Sequence, residues 1–223
     1  MEKHLVKIKS IKHITPDVLQ ILTEKPVNYT FIPGQTTEIS LNKPDWSGKK
    51  RPFTFTSLPV DDFLQFIIKT YPSHEGVTNE LLQLKKGDEL ILHAVFGAIA
   101  YHGEGLFIAG GAGVTPFISI FRDLQLKNEI GRNKLIFANK TKADIILADE
   151  FEKLLGKNFI PILSDEKVNG YAYGQINEAF LKATITDYNQ QFYVCGPPPM
   201  MESIQKQLAN LGVAKKRITV EEL

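Results

Sequence analysis

The 223-residue chain contains 26 lysine and arginine residues against 25 aspartate and glutamate residues, which gives a formal net charge of +1. This balance gives no reason to expect a nucleic-acid partner. No long apolar run occurs, and residues 1–4 lead straight into an alternating segment, so neither a transmembrane helix nor a secretory signal is expected. We therefore predict a cytoplasmic protein with no membrane or nucleic-acid partner.

Cysteine and histidine usage excludes several kinds of site. Cys195 is the single cysteine, so the chain cannot form an internal disulfide, a Cys-x-x-Cys redox pair or an iron–sulfur cluster that needs four thiolates. The five histidines lie far apart without ligand spacing. We therefore predict no metal site and interpret each histidine as a surface residue or a satisfied core residue.

The first hundred residues show mostly a period of two. Phe63, Phe66 and Ile68, for example, suggest a strand with a partly polar outer face. Turn-forming pairs such as Pro33-Gly34 separate the strands, and this spacing indicates an antiparallel sandwich or barrel. The predicted strands cover residues 5–11, 18–23, 36–41, 52–57, 62–69 and 89–94, with one short helix at 78–84.

After residue 102 the pattern changes to alternating strands and helices. Residues 106–109 form a compact apolar run that ends in glycines, as expected of a strand buried on both faces. The alternation predicts an α/β domain with a parallel sheet, and so two domains of residues 1–102 and 103–223. Further strands are predicted at 135–138, 159–163, 192–195 and 218–220, and helices after residue 116 and at 143–155, 177–183 and 198–211.

Residues 110–116 (GGAGVTP) lie between a predicted strand and a predicted helix. Glycines there let a backbone approach a pyrophosphate, and a helix N-terminus offers free N–H groups to an anion. The alternative is a tight strand–helix turn of any α/β protein. Pro116 also replaces the last glycine of the ordinary dinucleotide fingerprint.

A second glycine turn, Cys195-Gly196-Pro197, follows the predicted strand at 192–195. Loops at the carboxyl ends of parallel strands line the ligand crevice, so a thiol in this turn is placed to touch a bound ring. The alternative is a buried cysteine that ends a strand, and for this segment by itself that alternative is the better interpretation.

Residues 51–57 (RPFTFTS) place an arginine, an aromatic ring and a hydroxyl in one predicted strand. Arg51 would pair with a phosphate, Phe53 would stack on a planar ring, and Thr54 would hydrogen-bond a ring heteroatom. The competing interpretation is an ordinary strand with an exposed arginine.

Three segments of the first half resemble the flavin motifs of the ferredoxin/flavodoxin–NAD(P)H reductase family. Residues 51–54 resemble its Arg-x-Tyr-Ser motif, and residues 76–79 (GVTN) resemble the segment whose amides and hydroxyl hold the pyrophosphate of FAD. Phe96-Gly97 match the end of the third segment, although residues 94–95 (AV) stand where Gly-Pro is usual.

The second half continues the resemblance in the family's order. Residues 110–116 and 195–198 match its two nicotinamide-side motifs. The tail is similar to the family's end, with Glu221 at the acidic position and Leu223 in place of a stacking aromatic. A solvated tail carboxylate is an equal alternative for Glu221.

The resemblance implies an N-terminal antiparallel β-barrel that binds FAD and a C-terminal α/β domain that binds NADPH or NADH. By likeness, Thr54 hydrogen-bonds flavin N5 and Cys195 faces the nicotinamide, with Glu221 as the third catalytic residue. The implied FAD ligands are Arg51, Pro52, Phe53, Thr54, Lys69, Gly76, Val77 and Thr78. The implied nicotinamide-nucleotide ligands are Gly111, Gly113, Thr115, Cys195, Gly196 and Pro197.

The implied function is a stand-alone reductase that takes hydride from NAD(P)H onto FAD and passes single electrons to flavodoxin or ferredoxin. A free-flavin reductase and the reductase component of an oxygenase are the alternatives among enzymes. An FAD-binding regulatory subunit without turnover is the alternative of another class.

Charge gives two further predictions. No acid ends the predicted strand at 135–138, and Lys140 just beyond it would meet the 2′-phosphate of NADPH, although Asp165 and Glu166 would repel that phosphate if they lie close. Residues 42–50 (NKPDWSGKK) carry three lysines beside Arg51, which predicts a docking loop for an acidic electron-transfer protein; a solvated loop whose lysines only aid solubility is the alternative.

Overall fold

A computed structural model describes residues 3–71, 73–97 and 99–221. The chain forms two compact units. The first contains the residues up to Ala100 together with Thr115–Asp123, and the second contains Tyr101–Val114 and the residues from Leu124 onward.

The first unit is built on an antiparallel sheet in the order β4-β3-β6-β1-β2-β5. Its strands are β1 (His4–Thr15), β2 (Val18–Glu24), β3 (Thr36–Leu41), β4 (Arg51–Thr54), β5 (Phe63–Lys69) and β6 (Glu89–Phe96). One helical turn, α1 (Val77–Glu80), continues into a 3₁₀ turn at Leu81–Gln83 where the sequence predicts a helix at 78–84.

The two edge strands of this sheet meet. Just after β4, Phe55 forms an antiparallel bridge with Phe66 of β5, and the Thr56 N–H donates to the Gln65 carbonyl at 2.9 Å. This contact closes the sheet into the predicted barrel, because it joins the first and last strands of the order. The strand predicted at 52–57 is shorter than expected, since its regular pairing ends at Thr54.

The barrel core is aromatic at its centre. Phe55 and Phe66 are fully buried, and Phe31 stacks on Phe55 with ring centroids 4.1 Å apart. Full burial of a phenylalanine side chain stabilises a fold by about 1.5–3 kcal/mol. His93 is also buried and hydrogen-bonds Ser40 Oγ through Nε2 at 3.1 Å, so it is a satisfied core histidine as predicted.

The helix α2 (Thr115–Leu126) contributes its residues 115–123 to the first unit. Gly34 donates its N–H to Ser119 Oγ at 3.0 Å. Gly34 has a φ of +92°, and a Cβ there would lie 2.0 Å from the Ile99 carbonyl oxygen. Only glycine fits this position, because both its backbone conformation and the space beside it exclude a side chain.

The second unit is a sheet in the order β10-β9-β8-β7-β11-β12, and all its strand pairs are parallel. Its strands are β7 (Gly105–Gly110), β8 (Lys134–Asn139), β9 (Phe159–Leu163), β10 (Ala172–Tyr173), β11 (Gln191–Cys195) and β12 (Ile218–Val220). Its helices are α3 (Ala148–Leu155), α4 (Glu178–Thr184) and α5 (Pro198–Asn210). The strand order reverses between β7 and β11, and in such sheets ligands bind at the carboxyl ends of the strands beside that switch point.

One local prediction in this unit needs correction, and one short strand was not predicted. The helix predicted at 143–155 begins only at Ala148, because Thr141 and Asp144 form a capping box around a separate 3₁₀ turn and Leu147 adopts a φ of +53°. The two-residue strand β10 has no period that the sequence could show. None of the described helices has the length and apolar character needed to cross a bilayer.

Candidate functional site

In the second unit, the two predicted glycine turns pack directly against each other. The turn Gly111–Val114 follows β7, and Cys195 ends the neighbouring strand β11. A Cβ on Gly113 would lie 2.4 Å from the Cys195 carbonyl oxygen, and a Cβ on Gly110 would lie 3.1 Å from Pro197 Cδ. The contacts show that Gly110 and Gly113 are needed for the approach of one loop to the other.

Gly111 differs from these two glycines. Its φ is +52°, and a Cβ built on it would meet nothing within 4 Å. Its surroundings are therefore open at the carboxyl end of β7, where a ligand phosphate would approach the backbone. Thr115, which starts α2, is half-buried. Gly196 lies against the Gly110 backbone, with 3.2 Å between its Cβ position and the Gly110 nitrogen.

Cys195 and Glu221 form a buried pair. Parallel pairing sets Val194 opposite Val220, so the next residues of both strands lie side by side. The Cys195 Sγ–H donates to Glu221 Oε2 at 3.0 Å, and each residue is 5% exposed. Burial first, and then the Glu221 carboxylate, raises the pKa of the Cys195 thiol far above its usual range. The thiol is therefore a neutral donor, and the solvated-tail alternative for Glu221 is wrong. Residues 222–223, including Leu223, lie outside the described part of the chain.

The end of β8 carries charge of both signs. Lys140 is exposed, and its carbonyl accepts the N–H of Asp165 at 2.9 Å. Glu166 Oε2 accepts the Lys142 N–H at 2.7 Å. Asp165 and Glu166 therefore both lie beside the loop of Lys140. At that position their negative charges would repel a 2′-phosphate. Asn139 Nδ2 is buried at the same strand end and has no hydrogen-bond partner among the described residues.

In the first unit, the predicted flavin residues lie on β4 and become more buried from Arg51 to Thr54. Arg51 is exposed and donates from Nη1 to the Lys50 carbonyl at 2.7 Å. Pro52 is exposed, and Phe53 is half-buried against the barrel core. Thr54 is 8% exposed, with its Oγ1 3.4 Å from Thr36 Oγ1.

The segment around α1 supplies backbone donors. The Gly76 carbonyl accepts the N–H groups of Asn79 and Glu80, each at 3.1 Å, so the N–H groups of Val77 and Thr78 precede the first hydrogen-bonded turn. A Cβ on Gly76 would meet nothing within 4 Å, which leaves this backbone open to approach. Val77 is buried in the same core cluster that Phe53 contacts.

Lys69, an implied FAD ligand, forms an ion pair with Asp17. The Lys69 ammonium group is partly exposed and already carries a neutralising carboxylate. A role in phosphate binding would therefore require Lys69 to share its charge between Asp17 and the ligand, and its assignment stays a prediction.

The lysines of the 42–50 loop already interact with carboxylates or with an aromatic ring. Lys43 forms an ion pair with Glu80 at 2.9 Å, and Lys50 forms one with Glu38 at 3.0 Å. Lys49 lies over the ring of Trp46, with its Nζ 4.2 Å from the centroid. The positive charge that the sequence suggests for this loop is therefore largely compensated.

Sequence reasoning missed three polar groups near these sites. They are Asn139 at the end of β8, and Gln65 and Arg122 just beyond the end of β4, which we call the flavin strand after its predicted role. A buried glutamine inside the apolar run of β5 was the available signal for Gln65. No local pattern marks Arg122, because an arginine on a helix is ordinarily a solvated residue.

The residues present fit the two nucleotides that the resemblance implies. The barrel carries the groups that a planar ligand with phosphates needs. An exposed guanidinium and first-turn amides can bind the phosphates, a half-buried ring can stack on the planar group, and a hydroxyl can hydrogen-bond it. In the second unit, the open Gly111 backbone and Asn139 Nδ2, which has no partner among the residues described, lie at the carboxyl ends of adjacent strands, where ligands of such sheets bind.

Comparisons with known proteins find a different domain family in each half of the chain. Residues 3–104 match the FAD-binding domain family, and residues 107–206 match the oxidoreductase NAD-binding domain family. The chain therefore carries an FAD-binding and an NAD-binding domain.

The individual relatives share less than a third of their residues with this chain. NADH-cytochrome b5 reductase 2 of Mycosarcoma maydis is 31% identical over 171 residues, which cover 69% of this chain and 48% of the relative. The xylene/toluene monooxygenase electron transfer component of Pseudomonas putida is 26% identical over 225 residues, which cover 95% of this chain and 63% of the relative. The chain thus spans between about half and two thirds of the length of these relatives.

Among solved structures, a ferredoxin NADP⁺ reductase from Neisseria gonorrhoeae with bound FAD and NADP has a TM-score of 0.85 at 19% identity. The match covers 99% of this chain and 98% of that one, and it shows a shared fold. With both domain families matched in order over residues 3–206, the chain belongs to the oxidoreductases that join an FAD-binding domain to an NAD-binding domain.

Proposed function

We propose that the protein is an FAD-dependent NAD(P)H reductase that delivers single electrons to a separate acceptor protein. The observation that carries the proposal is the buried Cys195–Glu221 pair at the switch point of the second unit, beside the glycine turn at Gly111.

Bound FAD would accept two electrons as hydride and release them one at a time. Arg51 and the amides of Val77 and Thr78 would hold its phosphates, because they are the cationic and N–H donors of the barrel. Phe53 would pack on the ring, and the Thr54 hydroxyl would hydrogen-bond a ring nitrogen. In the other unit, Cys195 would border the nicotinamide, with its proton kept on Sγ by burial and by Glu221.

For the nucleotide, we propose NADH as the better substrate. The NADPH prediction depends on Lys140, and two acids lie on the same loop cluster. Asp165 is exposed, so its carboxylate can accept hydrogen bonds from a ribose diol and would repel a 2′-phosphate. One matched relative is also described as an NADH enzyme.

For the acceptor, we propose a small one-electron carrier, a ferredoxin or a flavodoxin. A second candidate is an oxygenase partner, because a relative that matches 95% of this chain is a monooxygenase electron transfer component. Lys49 is the lysine of the 42–50 loop without a carboxylate partner among the described residues, so the docking prediction now centres on it. The predicted cytoplasmic location is part of this proposal.

The test begins with the absorbance spectrum of the purified full chain. Bound FAD is expected, and anaerobic titration with NADH should bleach it more efficiently than titration with NADPH. Absence of flavin, or no NADH oxidation with an artificial acceptor, would contradict the proposal. Equal or better use of NADPH would contradict only the nucleotide assignment.

The acceptor is tested by reduction of a ferredoxin and a flavodoxin over a salt series. Lys49→Glu is expected to slow protein reduction and to reduce its salt dependence, because complementary charge mainly raises the encounter rate. Lys50→Glu is the less clean change, since it would also break the pair with Glu38. Reduction of a neutral dye should stay the same. Wild-type rates in Lys49→Glu would place the docking surface elsewhere.

A further inference from the structure

A buried polar network holds the chain just beyond the flavin strand. Thr56 and Ser57 are fully buried, and Gln65 of β5 is 7% exposed. Thr56 Oγ1 donates to Gln65 Oε1 at 3.0 Å, and the Gln65 N–H donates to Ser57 Oγ at 3.0 Å. The regular backbone pairing of β4 ends at Thr54, and beyond it these side-chain hydrogen bonds hold the chain.

Arg122 supplies the charge in this network. The residue lies in the part of α2 that belongs to the first unit. Its Nη1 donates to the Thr56 carbonyl and to Gln65 Oε1, each at 2.7 Å. Hydrogen bonds from a guanidinium are about twice as strong as neutral ones, so this contact fixes both acceptors more firmly than the Thr56 hydroxyl does.

The network bears on the flavin residues through the backbone. Thr56 is two residues beyond Thr54, so both side chains leave the extended chain on the same side. Thr54 has one described side-chain neighbour at hydrogen-bond range, Thr36 Oγ1 at a long 3.4 Å. Thr54 is also the last residue of β4 that pairs with β3, so the network at Thr56 holds the chain next to the end of that pairing and limits how far Thr54 can shift.

We propose that Arg122 is a positioning residue for hydride transfer, which acts through Thr56 and Gln65 on Thr54. The proposal rests on the proposed function, since it assigns a task to that same flavin strand. Reacting groups must be held to a fraction of an ångström, and supporting hydrogen bonds supply that precision. The competing role is simple stabilisation of the barrel.

The decisive variants are Arg122→Leu and Arg122→Lys, with Arg132→Leu as the charge-matched control. The Arg132 side chain is 91% exposed and pairs with Glu104 at 3.0 Å, far in sequence from the flavin strand. Arg122→Leu removes both bonds to the network, whereas Arg122→Lys retains a cation that can reach one acceptor.

Three measurements separate positioning from stabilisation. In FAD-saturated protein, Arg122→Leu should lower the limiting rate of flavin reduction by about tenfold, Arg122→Lys by less, and Arg132→Leu not at all. The FAD dissociation constant should change by less than about threefold, because the phosphate ligands are untouched. In FAD-free protein, amide hydrogen exchange at residues 54–57 should accelerate by about tenfold in Arg122→Leu.

A wild-type reduction rate in Arg122→Leu would overturn the proposal, as would unchanged exchange at residues 54–57. If Arg122→Leu does not fold, Gln65→Met replaces it, and a Gln65→Met rate equal to wild type then overturns the proposal. If the wild-type protein itself does not oxidise NADH, the proposed function fails, and the exchange measurement still decides whether Arg122 fixes the strand.

Discussion

The two units hold their candidate ligands in different ways. In the second unit, Gly113 and Cys195 touch through backbone atoms, and Cys195 and Glu221 are buried as a pair. In the first unit, Arg51 is exposed, and a side-chain network holds the chain just beyond Thr54, where the regular pairing of β4 ends. A parallel sheet thus fixes its site by topology, because strand ends converge, whereas the barrel fixes its site by side chains that cross from one strand to another.

The largest expected effect is that of Gly113→Ala. Its Cβ would lie 2.4 Å from the Cys195 carbonyl oxygen, so the two loops must separate. Overpacking of this kind costs about 1–3 kcal/mol. We expect NADH binding to be lost and FAD to stay bound.

The matched control is Gly111→Ala, which has a strained φ of +52° but no close atom. Gly111→Ala should lower the free energy of unfolding by about 1–2 kcal/mol, because alanine is strained in the left-handed backbone conformation. Thermal unfolding and NADH titration measure both variants. If Gly111→Ala destabilises the protein more than Gly113→Ala, loop contact is not what holds this site.

Arg51→Ala should weaken FAD binding by about tenfold to a hundredfold, since a hydrogen bond to a charged group contributes about 1.5–3 kcal/mol. Because Arg51 is exposed and bonded to the Lys50 carbonyl, little loss of barrel stability should accompany the change. Flavin released on dialysis is the measurement, with Arg132→Ala as the control. Full flavin retention in Arg51→Ala would remove it from the binding site.

Thr54→Val should slow flavin reduction by about tenfold and change FAD binding little, because it removes one hydroxyl and keeps the side-chain shape. Thr54→Ser, which retains the hydroxyl, is expected to preserve most of the rate. Stopped-flow reduction by NADH measures both. If the serine variant is as slow as the valine variant, packing rather than the hydroxyl is the contribution of Thr54.

The smallest expected effect concerns acid stability of the barrel. Burial first, and the nearby Lys50 and Lys3 next, lower the pKa of His93 below its ordinary value of 6.5, while Glu38 opposes them. The unfolded chain then binds the proton more readily, so the stabilisation is complete above the unfolded pKa and is lost as the pH falls below it. His93→Gln should flatten the fall in unfolding free energy between about pH 7 and about pH 5.

A pH profile of His93→Gln that matches wild type would show that other groups cause the acid sensitivity.

The sequence by itself determined the two fold classes and most elements, because the period changes from two to strand–helix alternation near residue 102 and each period is a local property. It also located the glycine turns and the strand β4 that is predicted to bind flavin, because their residue types are recognisable locally. Only the tertiary structure paired Cys195 with Glu221 and brought Asp165 to the Lys140 loop. These contacts join residues far apart in the chain. The pairing of strand ends that creates them produces no periodic pattern in the sequence.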